Sequence, residues 1–330
     1  MKKATFITII AALLLLVSCN VDSEYGIYYQ VATSEKPSGI NIIQALGYEE
    51  DDVGIHYFLS DNGICTTGDT LYVKGSQGKN IQGAYRSPDC TYYYSNAEGT
   101  VYTLDSDGKS VPVDAYAGKK LDVSPNGFVY NSEGFGIATV GDFFTEVKIS
   151  NPRFSGSSMF TMDGTTKAKI FYENAIEYAT TIEGLSANAT GYLEGKSNYF
   201  YVFDGTSIYK VTADQIADHK VTLGDAFYKG LDSAPDGGCS TGGYKAVEYT
   251  LDDVTYLLIR TASSFTIIKD NGTTGSLVQK NIFTTLNSVY VVDMYELNPD
   301  SDDGKIAIVT YANGIRIADM IEKTVSDDIL

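Results

Sequence analysis

Along most of the chain, short apolar or aromatic runs are followed by a turn rich in Asn, Asp, Ser or Gly and then by a segment in which apolar and polar residues alternate. The unit reads IHYFLSDNGICTT from Ile55, YYYSNAEGTVYTL from Tyr92, FVYNSEGFGIATV from Phe128 and IFYENAIEYATTI from Ile170. It continues as YFYVFDGTSIYKV from Tyr199, YLLIRTASSFTII from Tyr256 and IAIVTYANGIRIA from Ile306. A near-continuous apolar run suits a strand buried on both faces, and a period of two suits a strand with one solvated face. Asn62-Gly63, Glu98-Gly99, Asp204-Gly205 and Asn313-Gly314 supply hairpin turns between the two halves. Successive units start 37, 36, 42, 29, 57 and 50 residues apart, close to the ~40–45 residues of a four-stranded propeller blade. A blade cannot bury its faces by itself, so the pattern predicts an all-β ring, a β-propeller of seven blades. Eight blades is the alternative, because residues 20–52 contain YGIYYQVATSEKPSGINIIQA. That stretch reads either as an eighth hairpin or as a strand closing the ring against the last blade. A β-sandwich with extra hairpins is less favoured, since it does not require seven similar copies.

The first twenty residues, MKKATFITIIAALLLLVSCN, follow a different pattern. Lys2 and Lys3 precede an apolar run from Ala4 to Val17 broken only by Thr5 and Thr8. The run has the length of a signal-peptide core and falls short of the roughly 20 residues of a membrane span. Leu16-Val17-Ser18-Cys19 matches a lipobox, and the segment resembles the signal peptides of bacterial lipoproteins. The resemblance implies cleavage before Cys19, diacylglycerol on its thiol and acylation of the new amino terminus. The competing reading is an ordinary secretory signal. The expected organisation is a signal peptide at 1–18, a lipidated tether at 19–24 and a propeller at 25–330 with an insertion at about 212–246. Lipid on Cys19 would make a membrane the first partner. Asn20 stands after the cysteine where Asp would retain the protein at the inner membrane. By resemblance to the enterobacterial sorting pattern, this favours the outer membrane or cell surface.

Composition narrows the function classes. Tyr occurs 26 times, Gly 32 times and Trp not at all, as suits many short strands joined by turns. A net charge of −18 argues against nucleic acid and against docking on anionic headgroups. With Cys19 assigned to lipid, Cys65, Cys90 and Cys239 leave an odd number, so at most one disulfide can form among them. The chain has no CxxC and only His56 and His219, so neither a metal nor a cofactor is expected.

Tyr92 to Val111, YYYSNAEGTVYTLDSDGKSV, carries a second resemblance. Ser95, Gly99, Val101, Asp105, Asp107, Gly108 and Lys109 stand where secreted bacterial propellers of the NHL type place a small polar residue, a Gly turn, a V-x-x-x-D strand and a D-G-K turn. The resemblance covers one unit closely and the others loosely. It implies a propeller and a binding or scaffolding role.

The motifs that could carry chemistry are weak. Gly238-Cys239-Ser240-Thr241-Gly242 fits G-x-S-x-G, but an alternating strand follows it where an elbow needs a helix, and no His lies beyond His219. GSQGKN from Gly75 is too short between its glycines for a phosphate loop. Asn298, Asp300 and Asp302 alternate as calcium ligands do, yet Asp303 occupies the position that needs Gly. His56 reads as a strand histidine satisfied by its neighbours. Carboxylates are too numerous to single out an acid and a base, so no catalytic residue is assigned.

The segment 212–246 breaks the repeat with a helical stretch, TADQIADHK, which Thr212 would cap, and a loop, DSAPDGGCSTGG. Long loops on a rigid scaffold are where binding tends to sit. Tyr228, Asp232, Asp236 and Tyr244 are the expected ligand-binding residues, on the ring face that bears this segment. They offer acceptors and flat apolar faces to a cation, a sugar or a basic peptide. The favoured function is a membrane-anchored, extracytoplasmic propeller that binds or scaffolds a protein or glycan without catalysis. The alternative from the enzyme class is a propeller lyase or glycosidase acting on an envelope or extracellular glycan. A structural subunit of an envelope complex is the third reading.

Overall fold

The computed structural model describes residues 40–49, 54–68, 70–139, 141, 144–173, 176–235, 245–262, 264–299, 301, 303–312 and 314–326. Within this body, seven small antiparallel sheets form a ring, a seven-bladed β-propeller with almost no helix. Their first strands are Ile42–Glu49, Ile81–Arg86, Asp122–Val123, Arg153–Ser155, Ala189–Glu194, Ala246–Leu251 and Val291–Glu296. The first strands of the first and second, second and third, fourth and fifth, sixth and seventh, and seventh and first blades lie against one another, which places them at the hub. Ile42–Glu49 belongs to the first blade, where it pairs with Ile55–Ser60. It also meets the last blade, with the Ile42 N–H donating to the Tyr311 carbonyl at 2.8 Å. Residues 42–49 are thus the inner strand of the first blade, neither an eighth hairpin nor a strand of the last blade's sheet, and 20–39 lie outside the described residues.

Each sequence unit falls in a different blade, and the burial follows its two halves. Second strands are nearly continuous core, as in Phe200–Asp204 and Lys305–Thr310, whereas third strands alternate, as in Ser207–Val211. The unit from Ile170 is a correction. Lys167–Tyr172 and Thr180–Glu183 are the third and fourth strands of their blade. The hairpin equivalent to the others joins Ser158–Met162 to Lys167–Tyr172 around Asp163-Gly164. Its second strand reads SMFTM, and hydroxyls disguise a buried strand. Ser158 Oγ sits 2.9 Å from the Ser155 carbonyl, and Thr161 Oγ1 donates to the Ser150 carbonyl at 2.9 Å.

The core lies between blades. Leu59 and Ile64 of the first blade pack with Ile81, Ala84 and Tyr94 of the second. Phe160, Ile170 and Ile182 of the fourth meet Tyr192, Phe200 and Val202 of the fifth. Each such fully buried side chain stabilises the ring by about 1.5–3 kcal/mol. Tyrosine earns its frequency here by pairing across strands and blades. Tyr94 stacks on Tyr102 at 5.2 Å, Tyr249 on Tyr256 at 5.3 Å, and Tyr192 on Phe160 at 5.3 Å. At the hub, the Gln44 carboxamide pairs with the backbone of Ala84, giving its N–H to the carbonyl at 2.7 Å and accepting the amide at 3.2 Å. Beside it, a Cβ on Gly83 would lie 2.2 Å from the Val123 carbonyl oxygen, so only Gly fits between the second and third blades.

Candidate functional site

Antiparallel order sorts the connections onto two faces. Turns between second and third strands, and the links from one blade to the next, lie on one face, the linker face. Turns between first and second and between third and fourth strands lie on the other. This divides the segment 212–246. Thr212 precedes a five-residue helix, Ala213–Ala217, and the Gln215 side chain accepts the Thr212 N–H at 2.9 Å. Lys220–Thr222 then adds in parallel to the outer edge of the fourth blade, and Tyr228–Lys229 completes the fifth. The helical part therefore lies inside the fifth blade, and the true link to the sixth blade begins at Gly230.

Of the expected binding residues, Tyr228 sits on that last strand, partly buried against the core between the fifth and sixth blades. Asp232 lies in the link, where Lys280 on the outer strand of the sixth blade donates to it at 2.7 Å and to the Gly230 carbonyl at 3.0 Å. Asp232 thus pins the link to the next blade. Asp236, Tyr244 and the G-x-S-x-G motif lie outside the described residues, as do Cys19, Cys239, Asp300 and Asp302.

Sequence reasoning missed a second group on the linker face. Tyr290 immediately precedes the first strand of the seventh blade, and Tyr311 sits in its hairpin turn. They are 52% and 42% exposed, with rings edge to face at 6.2 Å. The Tyr311 N–H donates to the Tyr290 carbonyl at 3.0 Å. Beneath them Lys245, 5% exposed, holds its Nζ 4.6 Å from the centre of the Tyr290 ring. Arg260, equally buried, donates to the Asn287 carbonyl at 2.8 Å and lies over Phe265. The signal was present: both tyrosines fall just outside strands, where an aromatic has no partner strand to pack on.

The opposite face is polar in another way. Glu194 accepts from the Ser157 N–H at 3.1 Å and from Ser158 Oγ at 2.5 Å. Glu248 accepts from the Lys196 N–H at 3.2 Å and from Tyr199 Oη at 2.7 Å. Glu296 accepts from the Thr250 N–H at 3.0 Å and pairs with Lys196. In all three, a carboxylate on a first strand grips the backbone of the preceding blade. Burial raises the pKa of both Glu194 and Glu248. Between the fifth and sixth blades, an open cavity of about 580 Å³ is lined by Ser197, Tyr199, Lys210, Thr255, Asp270 and Asn271, among others. Asp270 accepts from Lys210 and Tyr201, each at 2.5 Å, and the Lys210 ammonium lies 4.1 Å from the Tyr199 ring centre. These charges are matched within the protein, so they serve the fold. Among the described residues, no group of three His, Cys, Asp or Glu side chains could hold a metal ion.

No family model matches the sequence, and no curated protein does. Among solved structures, the chain is similar to PorZ, an essential bacterial surface component of the type-IX secretion system of Porphyromonas gingivalis. Identity is 8%, the TM-score is 0.51, and the match covers 88% of this chain and 38% of that one. The chain thus spans well under half the length of that protein, and at this identity the likeness shows the fold. It is also similar to the computationally designed Ika8 protein, at 12% identity and a TM-score of 0.46, over 87% of this chain and 89% of that one.

Proposed function

We propose that this chain is a lipid-anchored protein of the cell envelope whose propeller binds or scaffolds a protein or glycan through its linker face. The observation that carries the reading is the Tyr290–Tyr311 pair. Two large aromatic side chains are left half in solvent at the hub end of the seventh blade, with a cation held beneath one of them. Exposed tyrosines give a partner apolar area and a hydroxyl at low entropic cost, which is why they are enriched where proteins meet partners. The lipobox at Leu16–Cys19 supports the anchor, and Asn20 supports the outer membrane or surface. The NHL-like unit at Tyr92 to Val111 and the fold shared with a secretion-system surface component agree with a scaffold. On the opposite face, Glu194, Glu248 and Glu296 are occupied in holding blades together.

Two experiments separate address from binding. Cys19→Ala should leave an uncleaved precursor that takes up no labelled palmitate; a mutant processed and membrane-held like wild type would remove the anchor from the account. For binding, the full chain is cross-linked with formaldehyde in cells that make it. A discrete complex should form with wild type and be lost in Tyr290→Ala/Tyr311→Ala at unchanged Tm. A complex retained by the double variant would put the site elsewhere.

A further inference from the structure

Among the described residues, the ring closes without exchanging a strand between its first and last blades. Among the described residues, the first blade is built from 42–73 and the seventh from 291–325. Their contact is therefore a seam that can part with no strand leaving its sheet. One face of the first blade meets the second blade through Leu59 and Ile64. Side chains on neighbouring positions point the other way, so His56, Phe58 and Cys65 face the seventh blade. Phe58 and Cys65 are fully buried, and His56 is 4% exposed.

His56 is the titratable group in that seam. Its Nδ1 lies 2.5 Å from Tyr295 Oη, on the first strand of the seventh blade. The Tyr48 ring, from the first strand of its own blade, stands 4.9 Å away. The His56 backbone N–H donates to Thr67 Oγ1 at 2.9 Å. Among the described residues, Asp293 on the first strand of the seventh blade is an acidic group whose charge bears on Tyr295. On His56 itself burial is the cause that acts, and it lowers the pKa to about 4. With Nδ1 unprotonated the ring accepts the Tyr295 hydroxyl; charging it turns a donor toward that oxygen and puts a positive charge on a ring only 4% exposed, where burial opposes it.

We propose that the His56–Tyr295 contact is an acid-sensitive latch: charging His56 parts the first blade from the seventh while the other six interfaces stay packed. In the parted state His56 meets water and regains an ordinary affinity for protons. Acid therefore favours the open seam, and the effect spans the window from the ordinary histidine pKa of 6.5 down to about 4. From these two values, the open fraction rises about 20-fold between pH 7 and pH 5.

Cys65 is a native reporter of the seam, and exposed Cys90 is its internal control. The full chain is treated with 4,4′-dithiodipyridine, which reacts with thiols in acid, and each cysteine is followed by peptide mass spectrometry. Labelling of Cys65 relative to Cys90 should rise about 20-fold from pH 7 to pH 5. His56→Gln should abolish that pH dependence, and His56→Phe provides the same test should the Gln variant fail to fold. A Cys65 rate that stays flat in wild type, or an acid response kept in a folded variant without the histidine, overturns the latch.

Discussion

The two faces of the ring spend their polar and aromatic side chains differently. On the face of the first-to-second turns, Glu194, Glu248, Glu296 and Asp270 are each matched by hydroxyls, amides or ammonium groups of the blade before them or beside them. On the linker face, Tyr290 and Tyr311 stand half exposed and Asp232 holds a link at the surface. A buried charge network must be complete, because an unmatched member costs several kcal/mol. An exposed aromatic pair costs the fold little and is free to meet a partner. The difference assigns stability to one face; recognition by the other is what the proposed function adds.

Substitutions should reproduce that division. Asp270→Ala leaves the Lys210 ammonium, 14% exposed, without its carboxylate and Tyr201 without its acceptor. It should destabilise the ring by about 3–5 kcal/mol, measured by urea unfolding. Ser158→Ala removes the hydroxyl shared by Glu194 and Tyr192. A loss of about 1–3 kcal/mol is expected. Tyr290→Ala/Tyr311→Ala should cost less than about 1 kcal/mol while abolishing the cross-linked complex. Asp232→Ala breaks only an exposed pair with Lys280 and should leave Tm within error. If Tyr290→Ala/Tyr311→Ala unfolded the ring as severely as Asp270→Ala, the division between faces would be lost.

Much of the architecture was legible in the chain. Runs such as FYVFD and IAIVT announce strands buried on both faces, and Gly turns at Gly63, Gly99 and Gly205 mark the hairpins. The unit at Ile170 slipped by one strand because Ser158 and Thr161 are polar in composition yet satisfied inward, a distinction only three-dimensional partners reveal. The same limit applies to the site. Asp232 looked available for a ligand, but its partner Lys280 lies 48 residues away. Tyr290 and Tyr311 are brought together by a hairpin whose register a sequence does not display, among 26 tyrosines that mostly serve the core. His56 was legible as a strand histidine satisfied by a neighbour. That the neighbour is Tyr295, at the other end of the chain, follows only from ring closure.

The assignment of recognition to the linker face is tested most directly by site-specific photo-cross-linking of the full chain in cells. The photoreactive residue p-benzoylphenylalanine is placed in turn at Tyr290 and Tyr311, and at Ser197 and Asn271 on the opposite face. Discrete adducts are expected from Tyr290 and Tyr311, with none from Ser197 or Asn271. Adducts from Ser197 and Asn271 but none from the tyrosines would contradict the account.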